Sequence, residues 1–377
     1  MRRVLQMVPA LESGGVERGT LEIGQSLVAA GHRSLVMSAG GRMVPELEAQ
    51  GSEHFSWPIG KKSPWTFRLV RPLRQFLHEQ RVDVIDVRSR MPAWIAWKAW
   101  SGLPSSERPR LVTSVHGFNS VNRYSAILTR GERVVTVSES LRSFLLNHYP
   151  HLDPGRIEVI HRGIDTGEYY PEFRPSPGWM ALWEKTFPQL QGRYTIALPG
   201  RITRLKGHLD ALDILKGLRD RNIPAHLLIV GGTDPRKQNY HRELVRRISE
   251  DELGPHVTFT GQRSDLREIL AMSDAALSIS TQPESFGRTT LEALSLGRPV
   301  LGYNHGGVGE QLATLFPEGL VPVGDTQLAA QRLAEWAQGD HPLPRWPHTW
   351  DLNTMCQRTI KLYESLTNGT DTHHRIT

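Results

Sequence analysis

The chain has 377 residues, 38 % of them hydrophobic, with 34 glycines and 25 prolines, which suits a loop-rich protein of two ordinary domains better than one. Its single cysteine, Cys356, excludes an internal disulfide and a thiolate metal cluster, and no apolar run nears the roughly 20 residues of a membrane span. The net charge of +6 belongs wholly to the first half: residues 1–190 hold 24 Lys and Arg against 18 Asp and Glu, whereas residues 191–377 hold 21 of each.

The N-terminus puts Arg2 and Arg3 ahead of apolar residues, as a signal peptide would, but the apolar part stops at Pro9 and Glu12 follows. It reads as a buried first strand over 3–8, and cytoplasmic residence is the default. A helix over 16–29, closed by Gly31, and a strand over 34–38 come next. Short β-branched runs at 82–87, 111–115, 134–137 and 157–160 read as further strands. Such alternation of strand, glycine turn and helix predicts a parallel, doubly wound sheet.

Between the early strands the charge is densest. Residues 61–90 carry eight cations (Lys61, Lys62, Arg68, Arg71, Arg74, Arg81, Arg88 and Arg90) against three acids. Trp57, Trp65, Phe67, Trp94, Trp97 and Trp100 lie in or near this stretch. A basic segment with interfacial aromatics could dock on anionic lipid headgroups; nucleic acid is the competing anion. A soluble helix face with core tryptophans fits the same residues equally well.

Residues 170–192, with four prolines, break the rhythm and read as a linker with a short helical piece. A second series follows, with strands expected at 194–198, 226–230, 257–260, 275–279 and 299–302. The clearest helices of this half are predicted at 210–221 and 240–250, with a last helix near 351–366 and a polar, frayed tail over 367–377.

The most informative segment is 281–303. It places two carboxylates, Glu284 and Glu292, eight positions apart around the start of one short helix. Eight helical steps would separate them by about 12 Å, wider than the ~5–9.5 Å of paired acid–base carboxylates. The helix start between them offers N–H groups where a phosphate binds. The unit reads as a clamp for a nucleotide-sugar: one carboxylate for sugar hydroxyls, the helix start for the diphosphate, the other carboxylate for ribose. Alone, the spacing also fits a solvated Glu followed by an ordinary helix Glu. Upstream, Gly200-Arg201-Ile202-Thr203-Arg204-Leu205-Lys206-Gly207 ends a strand and opens a helix with cations at the turn, an anion site by position and charge together. In the first half, Gly14 and Gly15 open a helix after the first strand, and His116 stands at the end of another strand beside Gly117.

The string Pro283-Glu284-Ser285-Phe286-Gly287-Arg288-Thr289-Thr290-Leu291-Glu292-Ala293 strongly resembles the donor site of retaining glycosyltransferases of family 4. The resemblance runs from the Gly14-Gly15 loop to the last helix. It implies an α/β chain of GT-B fold, two Rossmann-like domains facing each other across a cleft, with the C-terminal helix crossing back to the first. The expected divisions are an acceptor domain over 1–170, a linker over 171–192, a donor domain over 193–347, and the returning helix with its tail over 348–377.

By the same resemblance, Arg201 and Lys206 match the family's Gly-Arg-(four residues)-Lys-Gly element and hold the donor diphosphate, with Gly200 at the turn. Ser285, Phe286, Gly287, Arg288 and Thr289 line the donor between Glu284 and Glu292. Backbone groups at Gln262 and Arg263 read the nucleobase. Gly14 and Gly15 contact acceptor and donor phosphate, and His116 contacts the transferred sugar near the reacting carbon. His116, Arg201, Lys206 and Glu284 are thus the catalytic candidates. Lacking the Lys-(two residues)-Gly-Gly form, the first loop departs from bacterial glycogen synthases. The matches at 137–140 and 160–165 read as architectural.

No Asp-X-Asp triplet follows an apolar strand, so neither a metal nor another cofactor is expected. Charge on the leaving diphosphate then falls to Arg201, Lys206 and helix starts. With no nucleophilic carboxylate marked in the first domain, attack on the leaving-group face is the favoured retaining route. The expectation is a hexosyltransferase using a nucleoside-diphosphate sugar, by frequency a UDP-sugar, and a glycolipid or lipopolysaccharide-core-type acceptor at the cytoplasmic face of a bacterial inner membrane. Oligosaccharide or small soluble acceptors remain open, and no nucleic-acid partner is expected. A same-fold nucleotide-sugar epimerase and a non-catalytic nucleotide-sugar binder are the alternatives.

Overall fold

The computed structural model describes residues 1–12, 14–233, 238–339, 342–345 and 350–368. Ser13 of the glycine loop, the expected domain boundary at 347/348 and residues 369–377 of the polar tail lie outside the described residues. Contacts divide the chain into two units, one of residues 1–163 with the helix from Leu352, the other of Ile164–Asp351.

Seven parallel strands form the first unit's sheet: β1 (Arg3–Met7), β2 (Arg33–Ser38), β3 (Glu53–Ser56), β4 (Val84–Val87), β5 (Arg110–Val115), β6 (Arg133–Thr136) and β7 (Ile157–Val159). Their order is β3-β2-β1-β4-β5-β6-β7. Parallel strands covered on both faces require near-continuous apolar runs. The register meets this by setting Leu5 opposite both Leu35 and Ile85, all three fully buried. Connections run through α1 (Gly15–Ala29), α2 (Val44–Ala49), α3 (Val70–Glu79), α4 (Arg90–Ser101) and α5 (Glu139–His148). Sequence reading passed over β3, a four-residue edge strand of half-buried and exposed residues with no apolar run to mark it.

The last helix (Leu352–Asn368) packs into this first unit, as expected. Its Met355, Cys356, Leu362 and Tyr363 join Val4, Ile23, Leu27, Val84 and Val112 in one core cluster.

The second unit's sheet has six parallel strands: β8 (Tyr194–Pro199), β9 (Ala225–Val230), β10 (Val257–Gly261), β11 (Ala275–Ser278), β12 (Val300–Tyr303) and β13 (Leu320–Val321). The order is β10-β9-β8-β11-β12-β13; the two-residue edge strand β13 carried no signal in the sequence. Its helices are α6 (Pro177–Thr186), α7 (His208–Asp220), α8 (Gln238–Glu250), α9 (Leu266–Ala271), α10 (Arg288–Ser295), α11 (Gly306–Leu315) and α12 (Thr326–Ala337). Residues 164–192 group with this unit. There Trp179 and Trp183 of α6 stack at 5.0 Å and cover Leu228, Val230 and Ile269.

Each sheet reverses its strand order at one place, between β1 and β4 in the first unit and between β8 and β11 in the second. In open parallel sheets ligands bind beyond the carboxyl ends of the strands at such a switch point. The Gly14-Gly15 loop follows β1, and the 200–207 and 279–287 loops follow β8 and β11. His116 ends β5, one strand from its switch.

Candidate functional site

In the second unit the site is built on glycine turns at the ends of β8 and β9 and on the loop after β11. Gly200, at φ 142°, turns the chain away from β8; a Cβ there would sit 3.0 Å from Lys206 Cε, so the lysine stem lies over the turn. Gly231 approaches still closer, since a Cβ on it would be 1.9 Å from the Gly200 carbonyl oxygen. The ends of β8 and β9 are further joined by the Ile202 amide donating to the Gly232 carbonyl at 3.1 Å. Gly207 takes a left-handed conformation (φ 70°) at the start of α7, where a Cβ would strike the Ile279 carbonyl at 2.1 Å.

This packing brings Lys206 to Glu284. Lys206 Nζ donates to Glu284 Oε1 at 2.7 Å, and Ser280 Oγ donates to the same oxygen. Both contacts fall on Oε1, while the Glu284 side chain keeps 24 % of its surface exposed. The Glu284 backbone is clamped by α11, whose Gly307 amide donates to the Glu284 carbonyl at 2.7 Å. His305 fixes the approach to this loop through Nε2 and the Ser280 carbonyl, 2.7 Å apart. Ser280 and His305 escaped the sequence reading because a serine and a histidine without fixed spacing carry no signal.

The chain then turns at Gly287 (φ 88°) into α10, which begins at Arg288 and sets Glu292 in its second turn. Arg288 Nε donates to Glu292 Oε1 at 3.0 Å. Glu292 is 7 % exposed. Phe286 is buried and edge-on to Trp350 at 6.1 Å, so it anchors the turn, and Ser285 precedes it. Thr289 follows Arg288 at the helix start. Gln311 Nε2 donates to the Phe286 carbonyl and, at 3.3 Å, to that of Gly287. A further neighbour was not foreseen. The Tyr169 phenol is held up, first by burial and then by the Glu292 charge, so it stays protonated.

Arg201 is exposed directly after Gly200. Gln262 and Arg263 follow β10, two strands away from β8. The Arg263 guanidinium is held by Asp265 at 2.8 and 2.6 Å, and Trp179 Nε1 donates to Asp265 at 2.8 Å. Burial raises the Asp265 carboxyl, but the hydrogen bonds from Arg263 and Trp179 outweigh it and the net shift is downward. The Arg263 side chain is therefore tied back by its own loop.

The first unit holds the other candidates. Gly14, at φ 141°, caps α1 with the Glu17 carboxylate folded against it, 2.7 Å from where a Cβ would lie, whereas a Cβ on Gly15 would meet nothing within 4 Å among the described residues. His116 receives a hydrogen bond on Nδ1 from Arg162 Nη2 at 3.2 Å. Its imidazole is held well below the usual histidine range by burial, then by the charges of Arg162 and Arg88. Arg88 is itself buried and donates to Asp86 at 2.8 Å. Asp86 also accepts from Ser114 at 2.7 Å and from Tyr363 of the last helix at 2.8 Å.

Both halves match known domain families, residues 13–168 the Glycosyltransferase Family 4 domain and residues 183–346 the Glycosyl transferases group 1 domain. The chain is built of the two glycosyltransferase domains of the GT-B fold. A glycosyltransferase from Rickettsia africae superposes on this GT-B chain with a TM-score of 0.82 at 26 % identity, covering 97 % of this chain and 98 % of that one. Anabaena HepE in complex with UDP and glucose superposes with a TM-score of 0.78 at 22 % identity, over 97 % of this chain and all of HepE. In sequence, the N-acetyl-alpha-D-glucosaminyl L-malate synthase of Bacillus anthracis is 24 % identical over 84 % of this chain and 82 % of its own length.

The aromatic-rich basic region divides in two. Trp94 and Trp100 donate their indole N–H groups to the Tyr124 and Pro109 carbonyls. By contrast Trp65 is 76 % exposed, next to half-exposed Phe67. Among the described residues no helix is long and apolar enough to cross a membrane.

Proposed function

We propose that the protein transfers a hexose from a nucleoside-diphosphate sugar, a UDP-sugar, to an acceptor hydroxyl with retention at the anomeric carbon. The observation that carries this is the Lys206–Glu284 pair. A cation and a carboxylate meet on one carboxylate oxygen beside the starts of α7 and α10, so the second oxygen is the one offered to sugar hydroxyls while Lys206 and Arg201 face the diphosphate. Glu292 takes the ribose, Gln262 and Arg263 the base edge through their backbone, and His116 the transferred sugar. HepE's complex with UDP and glucose supports the choice of donor.

In this reading the acceptor oxygen attacks on the face from which the diphosphate leaves. The C–O bond to phosphate breaks, and the acceptor's proton passes to the departing phosphate oxygen. Positive charge from Lys206, Arg201 and two helix starts stabilises that departure, and turnover persists with a metal chelator present.

The acceptor we propose is a glycolipid or lipopolysaccharide-core oligosaccharide, reached at the cytoplasmic face of the inner membrane. Exposed Trp65 and Phe67, flanked by Lys61, Lys62, Arg68 and Arg71, support it as a docking edge. A small anionic acceptor is the second reading, favoured by the Bacillus anthracis relative, whose name specifies L-malate. The test incubates the full chain with UDP-hexoses, with and without EDTA, against lipid-linked and small acceptors, and follows both product and anomeric configuration. Lys206→Ala should lower turnover about 100- to 1,000-fold. Donor binding without transfer to any acceptor would leave a nucleotide-sugar binder, and conversion of the sugar with no acceptor an epimerase. Failure to bind anionic vesicles even at low salt would remove the membrane contact.

A further inference from the structure

Behind His116 the first unit assembles a charged cluster that donor binding does not explain. Arg88 comes from the end of β4, Arg162 from the segment after β7, Asp86 from β4 and Tyr363 from the last helix. Arg88, Arg162, Ser114 and His116 line a small hollow of about 30 Å³, closed in part by Ile23 of α1 and Met355 of the last helix, room for only a water or two. Two guanidiniums at so small a hollow act on the imidazole beside them.

We infer that Arg162 is a positioning residue that fixes His116 as the tautomer carrying its proton on Nε2. A guanidinium has donors only. At 3.2 Å from Arg162 Nη2, His116 Nδ1 must therefore accept, and a neutral imidazole that accepts at Nδ1 holds its hydrogen on Nε2.

The fold keeps Arg162 in this place. Its guanidinium crosses α1 over Gly19, where a Cβ would lie 1.7 Å from Nη1 and 2.8 Å from Cζ. No other residue leaves that passage open. Arg88 supports the arrangement from the other side. It is anchored by Asp86 at 2.8 Å and reaches Thr20 Oγ1 at 3.4 Å, and Asp86 is already engaged by Ser114 and Tyr363. The Tyr363 phenol stays protonated, raised by burial and by Asp86. Glu22, also buried on α1, lies 3.6 Å from Arg18 Nε. Protonating His116 would place a hydrogen on Nδ1 against Arg162 and add a third cation beside two buried ones. The direction of its titration agrees.

For the reaction this rests on the reading that His116 contacts the transferred sugar. The imidazole then donates from Nε2 and takes no proton from the acceptor, in keeping with a departing phosphate oxygen as the base.

Long-range ¹H–¹⁵N spectra of the full chain labelled in histidine, with His116 assigned by its loss in His116→Gln, test the inference without any substrate. The expected result is the Nε2–H pattern, unchanged between about pH 8 and pH 5. An Nδ1–H pattern, or titration near the ordinary value of about 6.5, overturns it. Arg162→Met should produce mixed tautomers and a midpoint shifted upward toward that value, and Arg162→Lys should keep the Nε2–H form. A folded Arg162→Met protein with an unchanged His116 spectrum removes the role assigned to Arg162. Should that variant not fold, the wild-type spectrum decides alone. Absence of sugar transfer would sink the functional reading and leave the spectrum standing; a wrong tautomer would do the reverse.

Discussion

The two charged clusters differ in how far water reaches them. Lys206 and Glu284 keep 29 % and 24 % of their side-chain surface, whereas Arg88 and Asp86 keep 3 % and 0 %. An accessible ion pair is worth about 0–1 kcal/mol, so a ligand with its own charges and hydroxyls can exchange partners with it at little cost. A buried pair cannot be opened without stranding a charge. In the proposed reading the second unit thus keeps its charges available to a donor, and the first uses its charges to hold one ring in one protonation state.

Asp86→Ala probes that contrast most strongly. Stranding Arg88 should destabilise the protein by about 3–5 kcal/mol, read as a lower urea midpoint, while Glu284→Ala should change stability by no more than ~1 kcal/mol. Equal losses would erase the distinction. Next come the two site carboxylates. Glu292→Ala should weaken UDP binding about 10- to 100-fold, as for loss of hydrogen bonds to a charged group, and calorimetry with free UDP measures it. Glu284→Ala should leave UDP affinity within about twofold and impair only UDP-sugar binding. Unchanged UDP affinity in Glu292→Ala would contradict its assignment to the ribose.

The effect spread most thinly is on pH, since it accrues over more than about two pH units. His208, at the start of α7, is pushed down to about 4 chiefly by burial, against the hydrogen bond to the Thr203 carbonyl and with a contribution from Lys206. The unfolded chain therefore binds more protons below about pH 6.5. The stability from neutral His208 is present above that value and is lost as pH falls toward about 4, at on the order of 1 kcal/mol per pH unit. His208→Gln should flatten that slope in denaturation curves recorded from pH 7 to pH 4; an unaltered slope would mean other groups carry it.

Much of this organisation was legible in the chain. Parallel sheets announce themselves through short β-branched runs closed by glycine, and Lys206 and Glu284 carry signals because each stands at a fixed place beside a glycine turn. What escaped reading is non-local. Arg162 meets His116 across 46 residues and Tyr363 meets Asp86 across 277, and no spacing rule links such pairs. The tryptophans were ambiguous for a different reason, since composition gives no direction to a side chain. Only the fold shows Trp94 and Trp100 bonded to their own chain and Trp65 turned to solvent.

The returning helix has a consequence for biosynthesis. Residues 164–351 emerge from the ribosome between β7 and the segment that closes the first unit. Until Met355, Leu362 and Tyr363 arrive, the groove over Val4, Leu27 and Val84 stays uncovered and Asp86 lacks its phenol partner. The N-terminal half is expected to expose that apolar surface during synthesis, the kind of transient exposure that favours aggregation and chaperone binding.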